Sequence, residues 1–197
     1  MARSSRTRNA VAHRAVVRCM RDRDIKAFRE AKDEFFRTDP HSPIPNRSDF
    51  EGLAYFEPDP AFEFTTALEP ADGSEIQVQT SDGQVRTYRR SARAELDGPT
   101  GSFSVTLLTS EGREGFFLPF RDSTSGSETY GAGRYLDIEP NPDGTVTIDF
   151  NLAYNPYCAY DDAYSCPLPP PENWLTVRIE AGERNHPRTV PQEGERS

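Results

Sequence analysis

From Ala61 onward the apolar residues change their spacing from three-to-four to two, and that change constrains the fold more than any other feature of the chain. AFEFTTALE alternates Phe62, Phe64, Thr66 and Leu68, and EIQVQT puts Ile76 and Val78 on one side. QVRTYRRSARAEL, FSVTLLT, GFFLPF, RYLDIE, TVTIDF and LTVRIEA continue the series. PADG, Ser81-Asp82-Gly83, DGPTG, SEGRE and PNPDG separate them. Period-two segments bounded by turn residues read as half-buried strands, and Asp-Gly is a hairpin signal. About eight short strands at this spacing predict a mainly β domain, an antiparallel barrel or sandwich. No alternation of strands with helices supports a parallel sheet.

Ahead of the strands, DIKAFREAKDEFFRT reads as the one α-helix, with Asp24 able to cap it. Ile25, Phe28, Lys32 and Phe35 share a face, with Phe36 beside them. Asp39-Pro40 ends it, because the residue before a proline avoids the helical region. Pro40, Pro43 and Pro45 then keep the next stretch irregular. The expected organisation is a basic disordered tail or mis-assigned start over 1–23, one β-rich domain over 24–184, and a disordered tail over 185–197. The N-terminal stretch lacks the apolar core of a secretory signal, and no apolar run reaches the ~18 residues that span a bilayer. A cytoplasmic location is expected, without membrane contact.

Charge is unevenly placed. The first 23 residues hold seven Arg and one Asp, while the rest hold 16 basic residues against 31 acidic ones, a net charge of −15. Such a body repels phosphate backbones, which excludes a nucleic-acid partner bound by charge neutralisation. Lys26 and Lys32 are the only lysines. An acidic, lysine-poor surface suits a protein kept soluble at high salt.

Much familiar chemistry is excluded. His13, His41 and His186 are the only histidines; His41 is the only plausible base among them, and no orienting partner is expected for it. Cys158 and Cys166 stand apart from any close Cys/His pair, so no zinc site is expected, and neither a metal nor another cofactor is implied. GAGRY lacks the third glycine and the Lys-Ser/Thr of a phosphate loop. Gly126, Gly131 and Gly133 are expected to turn the backbone.

Two long loops carry the polar and aromatic residues that remain. In the first, RDSTSGSETYGAGR, Arg121 and Arg134 flank Tyr130 and can hold an anion bidentately. The alternative is structural pairing with Asp122, Asp137 or Asp149. The second, NPYCAYDDAYSCPLPPPENW, contains PLPPPEN, a polyproline II stretch that either docks into a partner's aromatic groove or straps one end of the domain. Tyr160, Tyr164 and Trp174 favour a strap. Cys158 and Cys166 are either a disulfide or redox pair, or two buried thiols acting as small hydrophobes. Asp161 and Asp162 should raise a thiol's pKa.

The blocks PFRDSTSGSETYGAGRYLDIE and IDFNLAYNPYCAYDDAYSCPLPPPENWL, followed by AGER, resemble the uncharacterised prokaryotic family DUF1684 over about residues 24–184. The resemblance implies that Arg121, Asp122, Ser125, Thr129, Tyr130, Gly131, Gly133, Arg134, Asn151, Tyr154, Asn155, Cys158, Cys166 and Asn173 belong to its motif; it implies no activity. If the loops meet, Arg121, Asp122, Tyr130, Arg134, Tyr154, Asn155 and Asn173 line a cleft for a small anionic or polar ligand, with Asp122 able to act as a base. A protein-interaction module built on the proline strap and a thiol-redox protein are the other two expectations.

Overall fold

The computed structural model describes residues 24–112 and 114–186. The expected N-terminal tail, with His13 and Cys19, lies outside the described residues, as do residues 187–197. One α-helix, α1 (24–38), precedes eight strands. These are β1 Glu63–Thr66, β2 Glu69–Pro70, β3 Glu75–Gln79, β4 Val85–Gly98, β5 Gly101–Thr109, β6 Phe116–Phe120, β7 Arg134–Ile138 and β8 Val146–Asp149. The strand pairings are antiparallel. β4 is the spine of a six-stranded sheet, with β3 and β2 along one edge and β5, β6 and β7 extending from the other. β1 and β8 form a separate pair. Neither sheet closes, so the fold is an open, sandwich-like one and not a barrel. Among the described residues no helix is long and apolar enough to cross a membrane.

A bulge in β4 decides which side chains face which way. The register against β5 slips between Arg90 and Ala92, leaving Ser91 as an extra residue. An inserted residue moves every following side chain to the opposite face. Tyr88 therefore points to one side with Leu108, Phe117 and Tyr135. Ala92, Ala94 and Leu96 point to the other, into the main core with Leu107, Leu118, Leu136 and Phe150. The uninterrupted alternation of Tyr88, Ala92, Ala94 and Leu96 in sequence hides this reversal.

α1 spans the residues that its period predicts. Ile25 and Phe36 are buried, while Phe28 remains 47% exposed. Phe36 packs with Ile44, Phe50, Ala159 and Tyr160 in a cluster of its own. The Lys32 ammonium donates to the buried carboxylate of Glu183, fixing the helix to the far end of the chain.

Three expectations are corrected. AFEFTTALE is broken into a 3-10 turn (Pro60–Phe62), β1 and the two-residue β2, because the Asp59 carboxylate caps the turn through Ala61 N–H at 2.9 Å. The domain extends past its expected limit at 184: His186 is buried, with its ring 6.3 Å from that of Phe50. LTVRIEA is not a strand. Leu175, Val177, Ile179 and Ala181 do alternate into the core, but their segment has no ladder partner among the assigned strands. It runs beside the start of the 121–134 loop, where Leu175 N–H donates to Arg121 C=O (2.7 Å) and Ser123 N–H to Val177 C=O (2.9 Å). The carbonyls of Ile179, Ala181 and Glu183 are met by a side chain, Arg134.

Candidate functional site

Arg134 begins β7 and is fully buried. Its Nη1 donates to the carbonyls of Ala181 and Glu183, and its Nη2 to that of Ile179 (2.9 Å) and to Asp122 Oδ1 (3.3 Å). Residues 179, 181 and 183 present their carbonyls on one side of an extended segment, and the guanidinium takes the place of a neighbouring strand. Asp122 accepts in turn from Ile179 N–H (2.7 Å) and from the Thr124 hydroxyl (2.9 Å). Burial lowers the Arg134 pKa from its ordinary value, opposed by Asp122. Gly133, just before it, has φ +105°, and a Cβ there would lie 2.5 Å from Phe120 O. That contact and that backbone conformation together require glycine.

The family's asparagines are likewise turned inward. Asn173 accepts from Thr106 N–H at 2.8 Å and donates to the carbonyls of Thr106 (2.9 Å) and Pro119 (3.0 Å). β5 and β6 share one register pair, Leu108↔Phe117, and Pro119 in β6 has no N–H to offer. The amide of Asn173 fills the gap that opens between them. Asn151 treats Asp59 the same way, accepting its N–H (2.8 Å) and donating to its carbonyl (2.8 Å). The Asn155 backbone donates to Glu183 Oε2 at 2.8 Å, and its side chain to Arg184 C=O at 2.9 Å.

The residues expected to line one cleft are thus distributed over several places. Arg134 and Asp122 form a buried pair, Asn173 seals β5 to β6, and Asn155 serves Glu183. Arg121 lies over the half-exposed Trp174 ring at 5.3 Å on the outside. Tyr130 reaches Cys158, and Tyr154 lines a cavity of about 700 Å³. The proline strap is folded in: Pro167, Pro169 and Pro170 are buried. Tyr135 O–H donates to Pro167 C=O (2.5 Å), and Trp174 Nε1–H donates to Pro169 C=O (2.8 Å). His41 has an orienting partner after all, since Asp39 Oδ1 lies 3.0 Å from its Nδ1, but the pair is on the exposed face of a loop.

The cavity of about 700 Å³ opens between α1, the face of the large sheet turned by the bulge, and the 154–167 segment. Phe28, Lys32 and Phe35 come from the helix; Tyr88, Phe117 and Tyr135 make the floor; Tyr154, Tyr157, Tyr164 and Cys166 close the far wall. Arg86 stands at the rim, donating to Ser165 C=O at 2.9 Å. Two of its polar groups already have partners. Tyr154 O–H donates to Asp137 (2.7 Å), and Lys32 is neutralised by Glu183 while standing 5.0 Å from the Tyr154 ring centroid. Burial pushes the Tyr135 phenol far above its ordinary pKa, so it stays neutral. The helix face that lines this cavity was legible in the sequence as an amphipathic stripe, but Tyr88 and Arg86 on β4 carried no signal.

At the back of the far wall, Cys158 and Cys166 are both free and buried. Cys158 N–H donates to Cys166 Sγ at 3.3 Å, and Tyr130 O–H points at Cys158 Sγ at 3.7 Å. The Cys158 thiol is lowered to about 6, first through the hydrogen bond from Cys166, then through those from Tyr130 and Ser81; the Cys166 thiol is raised. Asp161 and Asp162, expected to raise a thiol's pKa, lie toward solvent, and for Cys158 the short-range hydrogen bonds set the opposite direction. Among the described residues no group of three or more His, Cys, Asp or Glu is placed to hold a metal ion.

A family model described as a protein of unknown function, DUF1684, matches residues 48–184. An uncharacterised protein of Haloarcula marismortui, solved by solution NMR, is similar in structure with a TM-score of 0.64 and 39% identity, over 82% of this chain and 92% of that one. None of the curated proteins matches the chain. The structural neighbour comes from a salt-loving organism, as the acidic composition led us to expect of a protein like this one.

Proposed function

The chain belongs to the DUF1684 family, whose description assigns no chemistry, and we propose from the cavity that it binds a small, apolar, ring-bearing molecule with an anionic group turned toward Arg86. One observation carries this reading. An aromatic-walled cavity of about 700 Å³ stays open beside α1. Ligand sites of ~300–1,000 Å³ are typically lined by apolar and aromatic groups with a few polar ones. Faces of Tyr88, Phe117 and Tyr135 offer stacking and edge contacts to a flat ring. Arg86 at the rim supplies the cation, because Lys32 is already committed to Glu183. This moves the site expected between the two long loops to the outer side of the second one. The body's net charge of −15 supports a small ligand over a nucleic acid, and two free thiols fit a reducing, cytoplasmic setting. The interaction-module alternative has less support, since the carbonyls of Pro167 and Pro169 are already bonded within the chain.

The probe is anilinonaphthalene sulfonate, which carries fused rings and one anionic group. The expected result is saturable binding at one site per chain, with blue-shifted fluorescence. Ala31→Trp fills the cavity from an exposed position on α1 and should reduce the signal at least tenfold, while leaving circular dichroism unchanged. Arg86→Glu should weaken binding several-fold. Equal signals from the wild type and Ala31→Trp would remove the cavity as the binding site.

A further inference from the structure

We propose that Cys158 and Cys166 are a redox-active dithiol that exchanges with low-molecular-weight disulfides reaching Cys166 through the cavity. The placement of donors around the two sulfurs is what a pair of merely space-filling thiols does not need. Buried cysteines acting as small hydrophobes sit among apolar atoms. Here the Tyr130 hydroxyl lies 3.7 Å from Cys158 Sγ and 3.4 Å from the Cys158 carbonyl, within reach of both, and the Cys158 N–H is aimed at Cys166 Sγ from 3.3 Å. Donors that converge on sulfur stabilise thiolate over thiol.

The surroundings hold the pair in register. Cys158 lies in a 3-10 turn, Tyr157–Ala159. Cys166 is tied to the end of the β3–β4 hairpin, where Ser81 N–H donates to its carbonyl at 2.8 Å and its own N–H donates to Ser81 Oγ at 3.1 Å. Cys166 Sγ already lies 3.3 Å from the Cys158 backbone nitrogen, which brings the two side chains together at short range. Access is one-sided. Cys166 forms part of the cavity wall, beside Ser165 and Pro167, while Cys158 lies behind it and is not among the lining residues. Arg86, donating to Ser165 C=O one residue away, favours an anionic reagent.

The exchange balances as follows. Cys166 passes its proton to the adjoining Cys158 thiolate and attacks one sulfur of the small disulfide, whose S–S bond breaks and releases one small thiolate, which takes that proton from Cys158. The Cys158 thiolate then attacks the Cys166 sulfur of the mixed disulfide and releases the second. The protein's two thiols are oxidised to one disulfide, the small disulfide is reduced to two thiols, and the two protons lost by the cysteines end on the departing sulfurs. The proposal does not depend on what else the cavity binds.

One tryptic peptide, residues 135–178, contains both cysteines and excludes Cys19. The folded full-length chain is treated with oxidised glutathione, blocked with an alkylating reagent and digested. The expected peptide escapes alkylation, is lighter by about 2 Da than the reduced one, and regains both alkylation sites after dithiothreitol. In Cys158→Ser, which cannot close the bridge, the peptide should instead carry one glutathione on Cys166. A wild-type peptide that stays fully alkylatable, or that holds one or two glutathiones without closing, would overturn the proposal whether or not the variant folds.

Discussion

Arg134→Met should lose about 3–5 kcal/mol of stability, the cost typical of breaking a buried ion pair from one side. Against a total of ~5–15 kcal/mol for a domain, that leaves a partly unfolded population or a steeply lowered urea midpoint. The reason is local. Removing the guanidinium strands the Asp122 carboxylate, which is buried, and with it the carbonyls of Ile179, Ala181 and Glu183. Arg134→Lys keeps the charge but not the planar fork that spans three acceptors, so an intermediate loss is expected. The double variant Arg134→Met/Asp122→Leu separates the two contributions. If charge pairing dominates, it should recover most of the loss, because both ions are then gone. If the carbonyl clamp dominates, the double variant should stay close to Arg134→Met, since the three carbonyls remain unsatisfied. We expect the second outcome. A urea midpoint for Arg134→Met equal to that of the wild type would refute the structural role, and would return Arg134 to the list of ligand-binding candidates.

The same residue shows how far the sequence can be read. Period-two spacing was sufficient to mark a β domain, and seven of its segments contain the strands that form. The eighth, LTVRIEA, has the right alternation and buries the right residues, yet pairs with no strand. Alternation reports which side chains face the core; it is silent on what meets the backbone. Here Arg134 does so, from a position 45 residues earlier than Ile179. The bulge at Ser91 was equally invisible. Tyr88, Ala92, Ala94 and Leu96 look like one face of one strand, and only the register against β5 divides them between two. That division creates the floor of the cavity, so a site dependent on it could not be drawn from the letters.

Misplacing the site has a related cause. An arginine or asparagine that waits for a ligand and one that completes the protein's own backbone are the same residue type in the same kind of loop. Asn151 and Asn173 each bond both polar groups of one distant peptide, Asp59 and Thr106. The family's motif residues therefore describe, in large part, how irregular segments are kept satisfied without ladders. What remains for a ligand is formed by aromatic residues from α1, β4, β6 and β7 that have no shared motif. Tyr154 and Cys166 are the exceptions, since both belong to the motif and to the cavity wall.

Asn173→Ala should cost about 3 kcal/mol or more, measured as the shift in urea midpoint at constant slope. It leaves the N–H and C=O of Thr106 and the C=O of Pro119 without partners in a site with no exposure, and each orphaned buried group costs ~1–3 kcal/mol. Water entering the vacated volume would reduce that figure, so a loss under 1 kcal/mol would mean that the gap between β5 and β6 hydrates easily and that the asparagine is dispensable. Asn173→Asp tests the same geometry by charge. Its carboxyl can still accept from Thr106, but it then faces two carbonyls that need a donor. Burial and those carbonyls favour the protonated acid, so its folded pKa should lie above the unfolded value of ~3.9. A raised acid pKa means that the folded form binds more protons than the unfolded one, and stability falls as pH increases through that window. Relative to wild type at each pH, Asn173→Asp should be least destabilised near pH 4 and progressively worse toward pH 7. A gap that stays constant with pH would place the introduced carboxylate in contact with solvent, and would contradict the closed seam between the two strands.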